Sequence, residues 1–120
     1  MAAKTKNTDP CPPTQGHKHD KGKLRYDLIP PEAEASLAAV LTFGANKYGD
    51  RNWELGIDED RLYAARRRHE AAHRTGEILD PESGLPHLWH ALTTLAMSIT
   101  LEIRKTNNNQ GKHTQSRNGQ

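Results

Sequence analysis

Between Pro86 and Lys105 the chain carries apolar side chains on nearly every side of a helix. Leu88, Ala91, Leu92, Leu95, Ile99 and Ile103 recur at spacings of three and four and form one stripe. Trp89, Ala96 and Met97 fall on other sides of the same helix. Such a helix needs cover on more than one side. The rest of the chain offers two further helices, no strand pattern of convincing length and no internal repeat, so the expected fold is all-α. Three helices hardly bury the last one, so a homo-oligomer, dimer or tetramer, is expected to complete the helical bundle.

The first helix is predicted from about Glu32 to Tyr48, with Ala33, Leu37, Val40, Leu41, Gly44 and Tyr48 on one face. Pro31 suits its first turn, where a missing N–H is no loss. A turn-rich loop, residues 49–58, leads to a second helix from about Glu59 to Gly76, with Asp58 or Asp60 as its expected cap. Leu62, Ala65, His69, Ala72 and His73 form its inner stripe, and Arg61, Arg66, Arg67, Arg68 and Arg74 crowd its other faces. A polar loop with three acids, residues 77–86, precedes Pro86 and the third helix, which is expected to end near Lys105.

Composition separates a folded body from two tails. Residues 21–105 hold 36 of the chain's hydrophobic residues, enough for one modest core. Residues 1–20 hold four and residues 106–120 none, so 1–20 and 106–120 are expected to be disordered. The net charge of +2 comes from Lys112 and Arg117 in the last segment, which has no acid; residues 1–105 balance. A neutral body argues against a nucleic-acid partner. A single cysteine, Cys11, excludes an intramolecular disulfide and a cysteine-based zinc site. The longest uncharged stretch of the body, Leu88–Leu101, is short of the roughly 20 residues a membrane span needs. With no apolar leader, a cytoplasmic protein with no membrane partner is expected.

Metal-competent groups crowd into 22 residues: His69, His73, Glu77, Asp80, Glu82, His87 and His90. His87 and His90 share a helical face, and an antiparallel pairing of the second and third helices brings His69 and His73 toward them. Oxygen ligands would favour Mg²⁺ or Mn²⁺, nitrogen ligands Zn²⁺. Residues 69–73 also read HEAAH, the H-E-x-x-H pattern that on a helix holds zinc with the glutamate as base. A zinc hydrolase is thus one alternative, although Glu70 sits among arginines that offer it a plain ion pair. The segment TFGANKYGDRNWELG carries Lys47, Tyr48, Arg51, Asn52 and Trp53. Its asparagines can read a base edge, its aromatics can stack and its cations can hold phosphates. Trp53 equally suits a core position. Arg66–Arg68 reads as a solvated face or, with the basic tail, as part of a small nucleic-acid or protein interaction module.

The blocks GKLRYDLIPPEA, LTFGANKYGDRNWELGID, RRHEAAHRTGE and LDPESGLPHLWHA resemble the phage dATP/dGTP diphosphohydrolases, a branch of the MazG-like all-α nucleoside triphosphate pyrophosphohydrolases. The resemblance covers residues 21–101. It implies a multimeric helical bundle that hydrolyses a purine deoxynucleoside triphosphate, dGTP or dATP, to the monophosphate and pyrophosphate. It also implies phage nucleotide-pool control, including dGMP supply where 2,6-diaminopurine enters the DNA. MazG-like enzymes carry ExxE on one helix and ExxD on the next; here the one ExxD, Glu77–Asp80, falls in a loop, and ExxE is absent. With Mg²⁺ or Mn²⁺ as the expected cofactor, Glu77, Asp80, His87 and His90 are the candidate metal ligands. His69 and Glu82 are the candidate catalytic residues. Lys47, Tyr48, Arg51, Asn52, Trp53 and Arg68 are the candidate substrate contacts, with Lys23 and Arg25 in reserve.

Overall fold

The computed structural model describes residues 16–119. Three α-helices form it: α1 (Pro31–Tyr48), α2 (Glu59–Arg74) and α3 (His87–Gly119). Two 3₁₀ turns, Tyr26–Leu28 and Asn52–Leu55, precede α1 and α2. No strand forms among the described residues; a single antiparallel bridge joins Leu79 to Pro86. The fold is all-α, as the periodicity indicated. The expected N-terminal tail, residues 1–20, lies outside the described residues up to residue 15, and Cys11 with it.

Local chemistry sets the boundaries. Pro31 opens α1, and the Pro30 carbonyl accepts the first backbone bonds from Ala33 and Glu34. Asp58 holds the N-cap position of α2, but through its carbonyl, with no side-chain cap bond. Gly76, at φ 103°, ends α2 in a Schellman motif. Its N–H reaches the His73 carbonyl at 3.0 Å, and the Glu77 N–H reaches Ala72 at 3.0 Å. The next loop is drawn tight by Asp80 N–H to Leu85, Gly84 N–H to Asp80 and His87 N–H to Ile78, each 2.8 Å. This lacing turns the chain back at once, so α3 leaves beside the end of α2.

α3 is the common partner of α1 and α2. Its packed face is not the aliphatic stripe but His87, Ala91 and Thr93, with Thr93 the most deeply buried side chain at 1% exposure. Small residues there allow close helix approach. Val40 and Ser36 of α1 and Leu62 of α2 complete the buried set. Leu88, Leu92, Leu95, Ile99 and Ile103 instead line the outside of α3, at exposures from 39% to 55%. Only Ala91 of the expected stripe is buried within the chain. The stripe is real, and it is left without cover inside one copy.

α3 also continues past Lys105 to Gly119, through the segment expected as a tail. Once a helix is nucleated, each further residue adds a hydrogen bond at little cost, so a polar sequence can prolong it. Residues 102–110 are exposed. Among the described residues no helix is long and apolar enough to cross a membrane.

Candidate active site

A broad open cleft of about 1300 Å³ lies between the end of α1, the 52–55 turn and α3. Lys47, Tyr48, Arg51, Asn52 and Trp53, the expected substrate contacts, line it. Asn52 and Tyr48 are exposed and Trp53 is half-buried. Arg68 does not reach the cleft; it is exposed on α2. Its neighbour His69 points inward, and consecutive helical residues diverge. Arg61 takes its place, and Arg104 adds a cation from α3. Both escaped sequence reasoning because nothing local marks them: Arg61 is one of five arginines on α2, and Arg104 is distant in the chain.

Lys47, Arg51 and Arg104 are held by carboxylates. Glu54 accepts from Arg104 at 2.8 Å and from Arg51 at 3.1 Å, which ties the 52–55 turn to α3. The Arg104 guanidinium holds Glu54 below its ordinary value against the opposing effect of burial, with Arg51 adding to the lowering. Arg51 adopts a left-handed backbone, φ 57°, an uncommon conformation for a residue with a side chain. Lys47 pairs with Glu82 across the cleft and stands 5.1 Å over the Tyr48 ring. Glu82 is thus an exposed ion-pair partner at the rim.

At the inner end, His69, Asp80 and His87 converge, with one ligand atom from each within 4.8 Å of the others. His69 Nδ1 and His87 Nδ1 are 2.8 Å apart, and His87 Nδ1 is 4.0 Å from Asp80 Oδ1. His87 is almost wholly buried, at 4% exposure. Glu77 does not join the convergence. It meets the far side of His87, Oε1 to Nε2 at 2.8 Å. His90 is also set apart: its Nε2 lies 2.6 Å from Ser83 Oγ, its ring stacks on His69 at 4.6 Å and the Phe43 edge meets it at 6.3 Å. His69, expected as a base, thus stands in the convergent group, while Glu77 and His90, expected as ligands, stand behind and beside it.

The electrostatics favour the deprotonated forms of His69, His90 and Asp80. Burial, then the neighbouring His90, pushes the His69 imidazole below its ordinary value, with Asp80 opposing. Burial likewise lowers His90, again against Asp80. For Asp80, burial pushes upward, but hydrogen bonds from the Ser83 backbone and side chain, with the nearby His90 and His69, leave it lower than usual. Its Oδ2 accepts the N–H groups of Ser83 at 2.9 Å and Glu82 at 3.1 Å. Ser83 was missed in the sequence; the DPES turn it stands in was the available signal.

The HEAAH pattern does not assemble as a zinc-protease site. His73 lies outside the convergent group, and Glu70 pairs with Arg67 at 3.7 Å.

Two imidazoles and a carboxylate thus converge at the inner end of a helical cleft lined by cations. The chain belongs to the family of dATP/dGTP diphosphohydrolase N-terminal domains, which matches residues 13–111. It is similar to the dATP/dGTP diphosphohydrolase of Salmonella phage PMBT28, 39% identical over 80 residues. That alignment covers 67% of this chain and 27% of the relative, so the chain spans about a quarter of that protein's length. No solved structure matches the chain.

Proposed function

We propose that this chain hydrolyses purine deoxynucleoside triphosphates, dGTP or dATP, to the monophosphate and pyrophosphate with a divalent cation. The observation that carries the reading is the convergence of His69, Asp80 and His87 beside a cleft lined by Lys47, Arg51, Arg61 and Arg104, in a chain of this family. An ionised carboxylate and two imidazoles fit a divalent cation. When bound, the cation supplies charge neutralisation at the phosphates and activation of a water.

The chain's own groups do the rest. Lys47, Arg51, Arg61 and Arg104 attract the triphosphate, whose oxygens compete with Glu82 and Glu54 for them. Asn52 and Trp53, with Tyr48, read and stack the purine. His90, which lines the cleft, is the base for the attacking water, its ring held by Ser83 Oγ 2.6 Å from Nε2. The pair replaces His69 and Glu82 in that role. A second copy covers the outer stripe of α3 and makes the working homo-oligomer. The role that follows is phage nucleotide-pool control in the host cytoplasm, including dGMP supply for diaminopurine DNA.

Incubation of the full chain with Mn²⁺ and each nucleoside triphosphate, followed by product separation, tests this. Monophosphate with pyrophosphate from dGTP or dATP, stopped by chelator, is the expected result. Diphosphate with phosphate, or no turnover of any triphosphate, would overturn it.

A further inference from the structure

We propose that His69, Asp80 and His87 make a site selective for a borderline transition cation, of the Mn²⁺ to Zn²⁺ class, over Mg²⁺, with Glu77 positioning it from behind; this rests on the metal-hydrolase reading above. The donor set discriminates between the ions. Mg²⁺ takes oxygen ligands and sheds its waters reluctantly. Two imidazoles and one carboxylate instead suit Mn²⁺, Fe²⁺, Co²⁺ or Zn²⁺. Any Mg²⁺ in the reaction would arrive on the triphosphate oxygens.

Glu77 sets the orientation of the His87 ring. A carboxylate at 2.8 Å accepts, so His87 Nε2 carries a proton and donates it to Glu77 Oε1. Nδ1 then carries a free lone pair, directed at the space shared with His69 Nδ1 and Asp80 Oδ1. The three donor atoms are within 4.8 Å of one another, and bonds of about 2.1 Å to one ion would bring them to about 3 Å apart. That is a shift small enough for side chains on a helix and a laced loop. The order carboxylate, imidazole, metal orients the ring and raises its basicity, and loss of the outer carboxylate typically weakens metal binding about 10–100-fold. Glu77 reaches this place because the Schellman turn at Gly76 delivers it there.

The test is calorimetric titration of metal-free full chain with Zn²⁺, Co²⁺, Mn²⁺ and Mg²⁺ separately, with the Co²⁺ visible spectrum as a second readout. One cation per chain is expected for the transition ions, about 100-fold or more tighter than Mg²⁺. His69→Ala and His87→Ala should abolish the Co²⁺ spectrum. Glu77→Ala should weaken Co²⁺ binding about 10–100-fold, and Glu77→Gln, which keeps an acceptor oxygen for Nε2–H, should restore most of it. If buried His87→Ala fails to fold, half-buried His69→Ala carries the same arm. Mg²⁺ binding as tightly as Mn²⁺, an unchanged Co²⁺ spectrum in His69→Ala, or Glu77→Ala matching the wild type would each overturn the inference. Selective transition-ion binding without nucleotide turnover would support this site and sink the hydrolase reading alone.

Discussion

Asp80→Asn is expected to keep its fold and lose its turnover. Asp80 has two tasks on two oxygens. Oδ2 accepts the N–H groups of Glu82 and Ser83 and so shapes the loop between α2 and α3. Oδ1 faces His87 Nδ1 at the convergent site. An asparagine oxygen still accepts the two N–H bonds, so the loop persists. The charge that binds a cation is gone, and an NH₂ group competes for the place where the lone pairs meet. Loss of a cation that supplies several kcal/mol of transition-state stabilisation corresponds to a fall in kcat of more than about 100-fold. Circular dichroism and the melting temperature of the metal-free protein should stay near those of the wild type. Asp80→Ala removes both tasks and should lose stability as well as activity. Wild-type kcat in Asp80→Asn would remove Asp80 from the site.

The second large effect is expected on the outer face of α3. Leu88, Leu92, Leu95 and Ile99 alternate by four and three residues, the spacing of a coiled-coil seam. All four are substantially exposed in the single chain. Burying each against a second copy is worth about 1.5–3 kcal/mol, before association entropy is subtracted. Leu92→Glu combined with Ile99→Glu would place unpaired charges in that seam. A penalty of at least about 4 kcal/mol follows, or roughly 1000-fold in Kd. Light scattering during gel filtration should therefore show a dimer or tetramer of the 13.4 kDa chain for the wild type and a monomer for the variant. Ala71→Glu, on the exposed side of α2, should leave the assembly intact. A wild-type protein that runs as a monomer at high concentration would contradict the proposal.

These two expectations mark where the sequence was informative and where it was not. Periodicity found all three helices, and Gly76 and Pro31 marked real boundaries. Periodicity also found the α3 stripe, but it cannot say which partner covers an apolar face. Inside one chain the small and polar residues Ala91, Thr93 and His87 pack against α1 and α2, because they permit close approach. The metal-competent cluster was legible because short loops fold neighbouring residues onto one another. The division of roles within it was not. Glu77 and Asp80 are three apart, yet the loop sends one behind His87 and the other in front of it. Arg104 meets Glu54 from fifty residues away, a contact no local pattern announces.

Hydrolysis of dGTP in water enriched in oxygen-18 tests the central claim most directly. Attack at the α-phosphorus predicts the label in dGMP and none in pyrophosphate. Label in pyrophosphate or in free phosphate would mean attack at another phosphorus and would contradict the account.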